Sequence, residues 1–303
     1  MNISVLLYFL IIIGLFLGLS KGIGSFSSTL RGMAFFSMEK APVGLVDLFS
    51  KKKGSAATMW MTFGLFWMPI ASTLTFVNLW LDYDSTALMS AFGDFDKEKL
   101  ESAAYISTFW GFLGMSLIGA SFHIQNRTLQ NKISSEAGAS MISTFWFLLT
   151  LILVIISFTS FAPHTTQASA FFVAYGILGM GVLAAHLMSI YDNNVSEINI
   201  SSWLIIFSFG GLIYSTFSNL GYFLSGSDES AWLISKAMHG WWLIPMSISV
   251  AYFLIPKNTG NIIWSKLLSI TTIFLIFFTL TPFTSYTGLG LGADDNILTI
   301  QMS

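Results

Sequence analysis

The sequence predicts an all-α fold, a polytopic bundle of about eight transmembrane helices. Hydrophobic residues make up 54% of its 303 residues and charged residues only 9%, whereas roughly a quarter of the residues in an average soluble domain are charged. Apolar windows of about 20 residues, the length of a membrane-spanning helix, recur along the whole chain. Most Lys and Arg residues fall in every second connection between these windows, which is typical of cytoplasmic segments.

The N-terminal region combines an apolar window with a basic segment. We expect residues 1–19 to form an uncleaved membrane anchor that enters from outside, because basic residues follow this window rather than precede it. Residues 20–56 carry several Lys and Arg residues against only two acids, so we predict a cytoplasmic segment. Its apolar middle, residues 33–49, is either an interfacial helix or an ordered loop.

Residues 57–283 hold the remaining windows and are predicted to form the main bundle. The connection at residues 82–101 is acidic and is expected outside, and the polar tail, residues 284–303, is too polar to cross. Both termini are therefore predicted outside. The predicted windows of the bundle are residues 57–81, 103–128, 140–162, 169–191, 198–223, 232–255 and 262–280.

The window at residues 103–128 has one side that is nearly bare of side chains. Gly111, Gly114, Gly119 and Ser121 recur at short spacings along it. Small residues at such spacings let a second membrane helix approach closely. The pattern predicts a helix-packing face.

The end of this window, LIGASFHIQNRT, resembles the second core helix of catalytic subunit I of C-class (cbb-type) haem-copper cytochrome oxidases and nitric oxide reductases. Two later stretches are also similar to that family, HGWWLIPMSISVAYFLIPK from residue 239 and PFTSYT from residue 282. The resemblance covers roughly residues 57–290 in family order and lacks the last four or so family helices. It implies a respiratory membrane protein of a prokaryotic inner membrane.

The metal ligands that the resemblance implies are missing from this chain. The haem-ligand position falls on Ala104, the first copper-ligand position falls on Lys236, and the adjacent histidine pair falls within residues 283–285. Copper takes about three imidazoles and a low-spin haem two opposed ones, whereas the chain has four histidines in total. We therefore expect no catalytic residue, no metal site and no cofactor held by this chain alone, and leave open whether it belongs to an enzyme.

Three histidines remain candidates for binding a haem. His239 lies one turn beyond Lys236, so a gap of one turn would restore a ligand, although Lys236 can also reach the membrane surface. His123 and His186 are both predicted near the inner ends of their windows and would oppose each other across a haem. Histidines at helix ends are more often interfacial or hydrogen-bonded structural residues.

The predicted function is a noncatalytic scaffold or accessory subunit of a respiratory electron-transport complex. It would pack through its small-residue face against membrane subunits that carry the haem and copper. The acidic connection at residues 82–101 is either a solvated loop or a docking face for a c-type cytochrome. The alternatives are a single-haem electron-transfer subunit and a small-molecule or metal transporter. Nothing in the sequence suggests a nucleic-acid partner.

Overall fold

In the computed structural model, the protein is a bundle of helices. The structure describes residues 53–84, 97–129, 133–158, 165–195, 197–225, 238–260 and 266–279. No strand occurs among these residues. The predicted anchor, most of the basic segment, Lys236 and the polar tail lie outside the described residues. The helices are α1 (Ser55–Tyr83), α2 (Lys97–Thr128), α3 (Glu136–Ser157), α4 (Thr165–Asp192), α5 (Ile200–Ser225), α6 (Met238–Thr259) and α7 (Lys266–Thr279).

Six of the described helices, α1 to α6, are long and apolar enough to cross a membrane. The all-helical fold class is therefore confirmed for the described residues, with six candidate membrane-spanning helices among them. The predicted total of about eight includes a window at residues 3–19, which lies outside them. It also includes α7, whose described part has 14 residues.

Helices α1 and α2 run antiparallel, because Gly119, Ser116 and Gly111 of α2 contact progressively later residues of α1. Helices α5 and α6 also run antiparallel, since Ser201 pairs with Ser249 and Ser208 with Trp242, whereas α2 and α6 run parallel. One end of the bundle collects the starts of α1, α3 and α5 and the ends of α2, α4 and α6. It is called the Arg127 end below.

The small-residue face of α2 packs within the chain. A Cβ atom on Gly111 would lie 2.6 Å from the Trp67 ring of α1, and one on Gly114 would lie 3.1 Å from the Trp242 ring of α6. Gly119 is equally close to α1. The face predicted from the sequence is thus a helix-packing face, but the protein's own helices cover these glycines. The expectation that a partner subunit covers them is corrected accordingly.

A carboxylate from α3 caps the start of α1. The first N–H groups of a helix have no intrahelical acceptor, and Glu136 accepts hydrogen bonds from Gly54 N at 2.7 Å and Ala56 N at 2.9 Å. The Ser55 hydroxyl adds a third bond at 3.4 Å. Glu136 is only 3% exposed, and a buried carboxylate is costly unless it is hydrogen-bonded. The cap therefore satisfies the carboxylate and the helix end together.

Substitution of the adjacent glycines of α5 tests the helix packing. A Cβ atom on Gly211 would collide with the Trp241 carbonyl oxygen and lie 2.6 Å from the Trp241 Cβ atom, whereas one on Gly210 would meet nothing within 4 Å. We expect Gly211→Ala to lower the free energy of unfolding by about 1 to 3 kcal/mol through overpacking. Gly210→Ala is the control and should be neutral or slightly stabilising. Denaturation by SDS in mixed micelles measures both, and equal effects would contradict the described α5–α6 contact.

Substitution of Glu136 tests the cap on α1. We expect Glu136→Gln to lower the free energy of unfolding by roughly 2 to 3 kcal/mol, because the amide has one acceptor oxygen for several donors and loses the charge. Glu101→Gln, at an exposed position of α2, should change it by less than about 0.5 kcal/mol. The same micelle denaturation compares the two variants. Equal stabilities would exclude a capping role for Glu136.

Candidate functional site

Two π-helical segments meet inside the bundle. Residues Ser107–Gly114 of α2 and Met238–Leu243 at the start of α6 are wound as π-helix. The Trp110 and Trp242 rings, one from each segment, stack with centroids 5.2 Å apart. Because π-helical turns occur frequently at functional sites, this meeting point is a candidate functional site.

Five aromatic side chains fill the space around the two segments: Phe109, Trp110, Trp146, Tyr175 and Trp242, called the aromatic centre below. Trp110 stacks on Tyr175 with centroids 4.0 Å apart and an interplanar angle of 9°. Trp146 lies 4.7 Å from Tyr175 and 5.9 Å from Trp110. All five are buried. The centre joins α2, α3, α4 and α6 through direct ring contacts.

Hydrogen bonds between helices hold these rings in place. The Trp146 indole Nε1–H donates to the Trp110 carbonyl oxygen at 2.9 Å, and the Tyr175 and Thr150 hydroxyl oxygens lie 2.9 Å apart. In the other π-helical segment, the Trp242 carbonyl oxygen accepts from Ser208 at 2.6 Å. Backbone polar groups in the hydrocarbon region of a membrane need partners within the protein. The aromatic centre is therefore fixed by both packing and hydrogen bonding.

His239 lies at the edge of the aromatic centre. It belongs to the π-helical segment of α6, and its ring centroid is 4.9 Å from that of Phe109. Its side chain is exposed. Of the three histidine candidates, only this one lies beside the π-helical segments.

His186 is held in a buried polar contact. Its ring stacks on Phe122 at 4.5 Å and lies 5.6 Å from Phe209. Its Nε2 atom is 3.0 Å from the Ser121 hydroxyl oxygen, and that hydroxyl donates to the Ile118 carbonyl oxygen at 2.7 Å. The Nε2 atom and the Ser121 oxygen are within hydrogen-bonding distance, and the tautomer of the His186 ring decides which of them donates. In this arrangement Nε2 does not face a ligand.

His123 contacts a different helix. Its ring lies 6.3 Å from that of Phe253 in α6, whereas the neighbouring residue Phe122 stacks on His186 of α4. Successive residues of a helix point about 100° apart. The structure therefore places the two histidines against different helices and does not bring them together as an opposed pair. Among the described residues, no group of three metal-ligating side chains is found.

The sequence analysis missed the aromatic centre and Glu136. Both π-helical segments contain glycines next to large rings, as in Trp110-Gly111 and Gly240-Trp241-Trp242, and this pairing is the one signal that pointed to close packing there. Apolar patterning gave no further help, because lipid-facing and interior side chains are equally apolar in a membrane protein.

Comparisons with protein families and with curated proteins find no match for this chain. No protein-family model matches the sequence, and no curated protein matches it significantly. The geometry of the site and the resemblance of its motifs are thus the basis for the interpretation.

Truncation of Trp110 tests whether the aromatic centre carries the packing of the bundle. We expect Trp110→Ala to lower the free energy of unfolding by about 3 to 5 kcal/mol, since it removes a fully buried ring and leaves a cavity. Trp203→Ala is the matched control, because Trp203 is 49% exposed, and it should cost less than about 1 kcal/mol. Micelle denaturation followed by circular dichroism measures both. Similar losses of stability in the two variants would show that the aromatic centre stabilises the bundle no more than an exposed tryptophan does.

Proposed function

We propose that this chain is a noncatalytic structural subunit of a respiratory electron-transport complex in a prokaryotic inner membrane. Its sequence motifs resemble those of subunit I of C-class haem-copper oxidases and nitric oxide reductases. The observation that carries the proposal is the aromatic centre, which fills the interior where α2, α3, α4 and α6 meet.

A packed aromatic interior supports a structural role over cofactor binding. A haem needs a flat cavity with axial ligands on its faces, and rings in stacking contact leave no such slot between Trp110, Tyr175 and Trp242. Ala104, which matches the family's haem-ligand position, is buried and has a methyl side chain that cannot coordinate iron. In the proposed complex, haem and copper belong to partner subunits.

The partner contacts of the proposed subunit lie away from the glycines of α2, because α1 and α6 cover that face. The outward side of α1 is the leading candidate, since its apolar window is the least buried of the six and carries large exposed side chains such as Leu65 and Phe76. Residues 85–96 of the acidic connection at 82–101 lie outside the described residues. Docking of a c-type cytochrome there remains part of the same proposal.

Haem and copper quantification on the native assembly tests the proposal. The complex is purified gently from its own membrane, and its reduced-minus-oxidised absorption spectrum is compared with that of the chain after its partners are removed. We expect haem and copper in the complex and neither in stoichiometric amount on the separated chain.

One haem per separated chain would contradict the structural role and favour a single-haem electron-transfer subunit. His239→Ala and His186→Ala, each compared with the unsubstituted chain, would then identify the ligand. Haem loss in the first variant alone would assign it to the exposed histidine beside the aromatic centre. Purification of the chain as a stable monomer, with no respiratory partner, would also overturn the proposal.

A further inference from the structure

The ends of α2 and α6 lie side by side at the Arg127 end of the bundle. Because the two helices run parallel, contacts between them recur at a constant offset along the chain: Phe109 contacts His239, and His123 contacts Phe253. The same offset pairs Arg127 with Lys257. Each of these basic residues lies four positions, about one helical turn, beyond the contacting His123 and Phe253 rings, so the two share a level and a face.

The structure places both basic side chains at the surface near a common point. Arg127 and Lys257 are exposed, and each lies one helical turn beyond the ring contact of His123 with Phe253. The Lys257 ammonium lies 5.5 Å from the Phe253 ring centroid, which holds the long side chain against α6. The two cations are thus brought together by the α2–α6 contact instead of being spread over the surface.

Electrostatics at this point favour an anion. The C-terminal ends of α2 and α6 each contribute roughly half a negative charge, whereas Arg127 and Lys257 contribute two full positive charges. The balance is about one positive charge. Among the described residues, neither side chain forms an ion pair that would neutralise it.

We propose that Arg127 and Lys257 bind the phosphodiester of an anionic phospholipid at the seam between α2 and α6. Arginine recognises phosphate oxygens through paired N–H donors, and lysine adds a point charge. Within one turn of Lys257 toward the bilayer centre, α6 exposes Leu254, which is 41% exposed and lies three positions before Lys257 on the same side of the helix. This apolar surface adjoins the two cations and receives the acyl chain. Basic pockets between membrane helices recognise anionic headgroups in this way.

Native mass spectrometry of the full chain in detergent micelles tests the site. The probes are a phosphatidylglycerol and a phosphatidylcholine with identical acyl chains. We expect the unsubstituted protein to retain phosphatidylglycerol selectively. The double variant Arg127→Gln/Lys257→Gln should bind it roughly 30-fold more weakly. The double variant Arg127→Lys/Lys257→Arg should retain most of the binding. This result would show that the Gln substitutions weaken binding because they remove the positive charges.

Lys53→Gln is the matched control, because Lys53 is an exposed lysine at the same end of the bundle. It should bind phosphatidylglycerol like the unsubstituted protein, and equal thermal unfolding of all variants shows that the fold is intact. An equal loss of phosphatidylglycerol binding in Lys53→Gln would show that general surface charge, and not a specific site, binds the lipid. Unchanged binding in the double variant would overturn the proposed site. Displacement of the lipid by excess inorganic phosphate would assign the cations to a free anion instead.

Discussion

The packing of Trp110 is the interaction on which the rest of the bundle depends. Lipid is as apolar as a leucine side chain, so membrane helices associate through close packing and hydrogen bonds. The Trp110 ring contacts Tyr175, Trp146 and Trp242, and its carbonyl oxygen accepts the Trp146 indole hydrogen. One residue thereby links α2 to three other helices. The glycines of α2 complement it, because Gly111 leaves room for another indole, that of Trp67.

Polar groups follow the same requirement toward the Arg127 end. Glu136 satisfies the first N–H groups of α1, and His186 is paired with Ser121 while its carbonyl oxygen accepts from the Gln125 amide. Each contact joins two helices and removes an unsatisfied polar group from an apolar setting, where such a group is costly. For His186, a haem-ligand candidate from the sequence, the structure shows hydrogen-bonding contacts with Ser121 and Gln125.

The helices could be predicted from the sequence, whereas the neighbours of each side chain could not. The window at residues 57–81 corresponds to Ser55–Tyr83, and the window at 103–128 lies within Lys97–Thr128, because a membrane span must be apolar over a fixed length. Small residues likewise identified the packing face of α2. The inward position of Trp110 depends on tertiary contacts, and the cap at Glu136 joins segments far apart in the chain. Neither leaves a local pattern.

The same reasoning separates packing from function at the two π-helical segments. A π-helical turn changes the direction of the side chains that follow it, and it persists where the surrounding contacts favour the change. Such contacts are present here. Trp110 and Trp242, one from each π-helical segment, stack on each other, and the carbonyl oxygens of both accept hydrogen bonds from neighbouring helices. Because side chains fill the interior of the bundle at this point, contacts with other molecules are expected on its outer surface, including the seam where α2 and α6 end.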